Sequence, residues 1–308
     1  MDEDVWLDMD QHGNDIKVMV GADGNSNEDL KFNVTVPRKF DLDLTTMGGS
    51  LFVDKVEGKM DGETMGGSIE LSNLKGKIKF TTMGGDIDLK DSDVDGKVST
   101  MGGEVTFNNI IGDVDGSSMG GDVIYKNVKS RDGKKDTGRS VNISTMGGEI
   151  KVDEAMSGAD VSTMGGDIQV KKAAGFVKAN TMGGTVEIEE IDGWVKATTM
   201  GGDVIVKMTG DPNQGRRDVH ISSMGGDIDL TLPAGISARF DIRLTYTRKS
   251  SQDFKISSDF PLDMEEDDEW NYQNGDPRKT IDGTGKTGSG EYLVKISTIN
   301  GNIRIKKN

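Results

Sequence analysis

The phrase Met-Gly-Gly occurs ten times, beginning at Met47, Met65, Met83, Met101, Met119, Met146, Met164, Met182, Met200 and Met224. Seven of the nine steps are 18 residues; the other two, 27 and 24, read as the same unit with a loop inserted. A degenerate copy, STINGNI, closes the chain at Ser297–Ile303. A short fixed period marks a structural unit that cannot bury its apolar face alone and does so by stacking on its neighbours.

After each Gly-Gly the residues alternate, as in Asp86-Ile87-Asp88-Leu89, Glu149-Ile150-Lys151-Val152 and Asp227-Ile228-Asp229-Leu230. Period-two alternation with aliphatic residues reads as a strand with one buried face. A second short strand precedes each motif, as in GKIKFTT from Gly76 and GWVKATT from Gly193. No segment carries a sustained helical period with caps. Short strands stacked unit on unit make long parallel sheets with neighbours about 4.8 Å apart. The expected fold class is therefore all-β: a single-stranded parallel β-helix, or β-solenoid, of about 18 residues per coil and roughly 11–12 coils. Right-handed winding follows from the general rule for parallel crossovers. The expected organisation is N-terminal capping strands over 1–31 with Trp6 inward, the solenoid over 32–232, and C-terminal coils over 233–308 that carry a long acidic loop and the final coil.

Composition agrees with a thin core. Only 33% of residues are hydrophobic and 43 are glycine. The formal charge is −16, which excludes nucleic acid as a partner because phosphate binding needs a basic face. There are no cysteines, and no run approaches the roughly 20 apolar residues of a membrane helix. The opening MDEDVWLDMD is unlike a signal peptide, which fits a cytosolic chain or one already trimmed.

The motif residues read as a structural corner: Met83-Gly84-Gly85, Met101-Gly102-Gly103 and Met164-Gly165-Gly166 are examples. Glycine reaches positive φ without a steric penalty and permits close backbone approach. Val98 and Val105 are both expected inward although seven residues apart, so the bend must absorb one residue. The hydroxyls before Met (Thr82, Thr100, Ser118, Thr145, Thr163, Thr181, Thr199, Ser223) would stack as a ladder. The Met stripe has two readings, a flexible apolar filler at a tight corner or an exposed row that docks a partner or soft metal ions. The parity break leaves its direction open. The acidic position after Gly-Gly (Asp86, Glu104, Asp122, Glu149, Asp167, Asp203, Asp227) is a solvated ladder or a Ca2+ ladder. No other cofactor or metal site is expected.

Three interruptions break the pattern. The first carries Lys126, Lys129, Arg131, Lys134, Lys135 and Arg139; the second carries Arg216 and Arg217. Both read as solubilising loops or as sites for an anionic surface polymer. The third sets Trp270 and Tyr272 beside the acidic run 265–269, as a sugar platform, a calcium-dependent contact, or a mobile polar loop that covers the last coil and ends in a flexible glycine-rich tether. No catalytic residue is expected. Nucleophile elbow, P-loop and zinc spacings are missing, and His12 and His220 read as structural or exposed.

The stretches VSTMGGEVTF from Val98, VSTMGGDIQV from Val161 and ISSMGGDIDL from Ile221 resemble the T-x-S-G-D-I repeat of a bacterial family of adhesin-type β-solenoids. The flanks resemble it too: FNVTVPRKFDLDLTTMGG from Phe32, LTLPAGISARFDIRL from Leu230, ISSDFPL from Ile256 and GSGEYLVKISTINGNIRI from Gly288. The resemblance spans Phe32 to Lys306 and departs from the family in having Met-Gly-Gly where Ser-Gly is more usual. It implies an extracytoplasmic or cell-surface solenoid and carries no catalytic residues across. The expectation is a non-enzymatic adhesin or polymer-binding structural module, with a surface polysaccharide or an envelope protein as partner. The rival readings are a self-assembling scaffold and a polysaccharide-cleaving β-helix enzyme.

Overall fold

The computed structural model describes residues 5–22, 31–129, 141–250, 253–272 and 275–308. Among them every regular element is a strand, and no helix is long and apolar enough to cross a membrane. The chain forms two compact units, Met1–Pro37 and Arg38–Asn308.

The first unit is an antiparallel hairpin, Val5–His12 paired with Asp15–Ala22. Gly13, at φ 64°, makes its tight turn. Trp6, expected inward, is 44% exposed. Its ring lies across Gly21, where a Cβ would meet it at 2.5 Å.

The second unit is built on two long parallel ladders. One runs through Leu42–Thr46, Glu57–Thr64 and Lys75–Thr82, and each residue pairs with the one 18 positions on. The other runs through Leu51–Asp54, Ile69–Ser72 and the start of Ile87–Thr100 with the same offset. The long strands Ile87–Thr100, Ile168–Asn180 and Val186–Thr198 serve both ladders. Inward residues stack in columns: Ile87, Val105, Val123, Ile150, Ile168 and Val186 are each at most 1% exposed. Burying one such side chain contributes roughly 1.5–3 kcal/mol relative to leaving it in water.

Insertions do not interrupt the ladders. Val123 pairs directly with Ile150 across the 27-residue step, and Val204 with Ile228 across the 24-residue step.

The motif glycines do not supply left-handed corners, contrary to expectation. Positive φ recurs instead at Lys55, Asn73, Asp91, Asn109 and Asn127, between 50° and 60° and one repeat apart. Asparagine and aspartate tolerate this region through local side-chain hydrogen bonds. Here those bonds run between repeats, from Asn109 Nδ2 to Asp91 Oδ1 at 2.7 Å and from Asn127 Nδ2 to Asn109 Oδ1 at 3.1 Å.

The C-terminal end also departs from expectation. The last repeat is not the last layer. Tyr292–Ile299 inserts between Val219–Ser222 and Ala238–Thr247, and Ile303–Lys307 between Ile228–Leu232 and Ile256–Ser258. Most of the supposed tether is a strand, Arg278–Lys286, antiparallel to both Ala238–Thr247 and Asp263–Glu266. Gly285 serves close packing rather than looseness, since a Cβ there would lie 2.3 Å from the Pro261 carbonyl oxygen. The outermost strand, Asp263–Glu266, is exposed and carries three carboxylates, a composition that discourages pairing with a second molecule.

Candidate functional site

The Met-Gly-Gly corner reverses the usual alternation at one point. Val98 and Thr100 face inward, Met101 and Gly102 both face outward, and Gly103 and Val105 face inward again. Two consecutive outward residues are how the bend absorbs the odd residue.

The inward hydroxyl fixes this geometry. Thr100 Oγ1 donates to the Gly85 carbonyl of the preceding repeat at 2.8 Å and accepts the Gly103 N–H of its own repeat at 3.2 Å. Ser118, Thr145, Thr163, Thr181, Thr199 and Ser223 make the same donor contact to the preceding repeat at 2.8–3.0 Å. A buried carbonyl and a buried N–H are thereby satisfied at each of these corners. The second glycine is compulsory, because a Cβ on Gly103 would sit 2.2 Å from the Gly85 oxygen. The first is under less pressure: a Cβ on Gly102 would meet Gly84 O at 3.4 Å.

The acidic row has a structural task as well. Asp86 Oδ1 accepts the Glu104 N–H at 2.8 Å, Asp122 that of Glu149 at 2.8 Å and Asp167 that of Thr185 at 2.7 Å. At the far end Asp227 Oδ1 accepts the Asn302 N–H at 2.7 Å, and Arg304 bridges Asp227 and Asp229. Among the described residues, no group of three or more His, Asp or Glu side chains is placed to hold a metal ion.

The ten methionines face solvent. Met47 is 76% exposed and the other nine are 42–55% exposed. Beside them run outward hydroxyls, with Thr81 and Ser99 in contact at 3.3 Å. A shallow groove of about 350 Å³ follows Ser99, Ser117 and Ser144 on one side and Met101, Met119 and Met146 on the other. A second groove of about 350 Å³ shares Ser117 and Ser144 and adds Lys97, Asp115, Asn142 and Asp160.

The loop cations part company. Lys126 and Lys129 are exposed on the strand Val123–Lys129. Arg131, Lys134, Lys135 and Arg139 lie outside the described residues. Arg217 is buried, with its side chain 2% exposed. Its guanidinium donates to Asp192 Oδ1 at 2.6 Å and to the Gln214, Thr209 and Asp211 carbonyls. It pins its own loop and presents nothing to a ligand, which corrects its expected binding role. Arg216 is exposed, bonded to Asp218 at 2.6 Å and set 4.7 Å over the Trp194 ring, which stacks on Phe176. Burial pushes the Asp218 carboxyl up, but the Arg216 bond and the Leu293 N–H outweigh it and hold the pKa below the usual carboxylate value.

Trp270 and Tyr272 belong to the end layers. Trp270 meets Tyr246 edge-on at 5.6 Å, and Lys279 lies 5.7 Å over its ring. Tyr272 is 62% exposed and accepts from Arg248 at 3.2 Å. The Tyr246 hydroxyl donates to Glu266; burial and that carboxylate push its pKa up to about 12. The structure does not gather Lys126, Arg216 and Trp270 into one site; they occupy separate parts of the ladder. The left-handed corner at Asn73, Asp91, Asn109 and Asn127 is the row that sequence reasoning missed, although its 18-residue spacing was there to find. Comparison of the chain with protein-family models, with curated proteins and with solved structures returns no match.

Proposed function

We propose that the protein is a right-handed β-solenoid with an 18-residue coil, that it is non-enzymatic, and that it acts at the cell surface or in the envelope by binding a chain-like polymer. The regular 18-residue offset in both ladders supports the solenoid reading. The two grooves share Ser117 and Ser144 in their linings, and this adjacency supports the binding reading. One groove is lined by methionines and hydroxyls, the other by Lys97, Asp115, Asn142 and Asp160. A polysaccharide presents the matching chemistry, apolar C–H faces and hydroxyl edges repeated along its length. A repeating surface also engages successive units of one chain, so weak contacts add through avidity. The aligned carboxylates are already committed to backbone N–H groups, as at Asp86, Asp122 and Asp167, which suits a scaffold better than a pair of acid–base catalysts.

The test is co-sedimentation with a panel of surface polysaccharides, with soluble products analysed in the same tubes. Retention without new products is expected, and Ser117→Trp with Ser144→Trp should abolish it by filling the groove. New saccharide products, or retention unchanged in the double variant, would overturn the reading.

Self-assembly is the second reading, favoured by Leu42–Thr46. Among the described residues this strand has a ladder partner on one side only, Glu57–Thr64. A sharp monomer by light scattering at high concentration would remove it.

A further inference from the structure

The fold explains three of the four positions in the Thr-Met-Gly-Gly phrase better than it explains the methionine. The hydroxyl bridges two repeats, and the second glycine has no room for a Cβ. The first glycine lies in ordinary contact with the repeat below. The methionine side chain points into solvent, where many residues would serve. Neighbouring outward positions use that freedom. The residue two before the motif methionine varies among Thr81, Ser99, Asn180 and Ser222, and the residue after Gly-Gly among Ser68, Asp86, Glu104 and Thr185. Among the outward positions that carry a side chain at this corner, methionine is the one repeated ten times without change.

These methionines are consecutive rungs of one ladder. Gly120 N donates to Met101 O at 2.9 Å and Gly165 N to Met146 O at 3.0 Å. The 27-residue step does not break the row, because Gly147 N donates to Met119 O at 3.1 Å. In the final repeat the position becomes Ile299, which is only partly exposed, and the row stops.

We infer that the row binds soft monovalent d10 ions, Cu(I) or Ag(I), each held between the thioethers of adjacent rungs. Thioether sulfur is a soft donor that selects such ions over hard cations. Parallel rungs repeat at about 4.8 Å, which brings the flexible thioethers of adjacent rungs within reach of one shared ion. The formal charge of −16 attracts cations to the surface. Ten thioethers taken in pairs hold five ions.

Ag(I) is the probe, because it needs no reductant. Silver nitrate is titrated into the full chain in chloride-free buffer, with heat and methionine methyl carbon shifts followed together. In the native protein the row methyls should shift while the buried Met60 and Met208 do not. Two variants each retain five row methionines. Replacing Met47, Met65, Met83, Met101 and Met119 by Leu leaves neighbours together and should keep about half the capacity. Replacing Met65, Met101, Met146, Met182 and Met224 by Leu leaves every survivor isolated and should bring tight binding down to that of the all-Leu row. Leucine keeps the surface apolar, so polymer retention separates this inference from the binding reading above. Equal capacity in the two variants would mean independent thioethers and overturn the paired site. Unshifted row methyls in the native chain, or full binding by the all-Leu row, would overturn it outright.

Discussion

The repeats from Leu42 to Leu232 and the end layers that follow solve the same problem in opposite ways. The repeats stack parallel strands in one register, so each corner is a copy of the last. The end layers break that register: the chain passes beyond, folds back as an antiparallel sheet, and returns to insert its final repeat underneath. In the repeats each contact is reproduced on both sides, so a local change has no free direction in which to relax. At the end one side is free. Identical chemistry should therefore be costlier inside the ladder than at its end.

The largest expected effect is at the second glycine. Gly166→Ala places a Cβ 2.0 Å from Gly148 O, backbone against backbone, and should destabilise by about 3 kcal/mol. Gly165→Ala, one residue away, meets Gly147 O at 3.6 Å and should cost a fraction of that. Urea midpoints of the pair measure the difference. Next is Thr163→Val, which keeps the shape but leaves the Gly148 carbonyl and the Gly166 N–H unpaired. The expected loss is about 2 kcal/mol, read the same way. Gly285→Ala repeats the first experiment in the end layers, with a Cβ 2.3 Å from Pro261 O. There the outer strands can shift, so about 1 kcal/mol is expected. A loss at Gly285 equal to that at Gly166 would break the comparison.

Acid probes the seam between the two regions. Asp218 joins the Arg216 loop to the inserted last repeat through the Leu293 N–H at 2.9 Å. Its folded pKa is depressed. It therefore adds stability above the unfolded value of about 3.9, and that stability is lost as pH falls through the folded value. Asp218→Asn should flatten the stability profile below about pH 4 and leave the slope near neutrality unchanged.

The same contrast decides what was legible in the chain. Period, alternation and the inward column at Ile87, Val105 and Val123 could be read directly, because each depends on local spacing. The direction of the Met row could not. Both Met101 and Gly102 lie outward at the bend, and only the hydrogen bonds of Thr100 to two different repeats determine that. The role of Arg217 was hidden because its four acceptors are spread from Asp192 to Gln214. The layer order at the end was hidden for a stronger reason. Val219 pairs with Val294, 75 residues on, and no periodic signal connects them. Gly285, read as looseness, marks a point where the strand is packed too closely for a side chain.

The smallest expected effect separates fold from surface within a single motif. Met164 and Thr163 are adjacent, yet Met164 is 44% exposed and Thr163 is 5% exposed. Met164→Leu should change stability by no more than about 0.5 kcal/mol, as surface substitutions do away from caps and buried networks. Its melting temperature should match the native chain while that of Thr163→Val falls. A clear loss on Met164→Leu would show that the thioether packs against its neighbours on the row and supports the corner. No loss would leave the Met164 side chain without a role in folding, the outcome that a row acting through what it touches outside the chain requires.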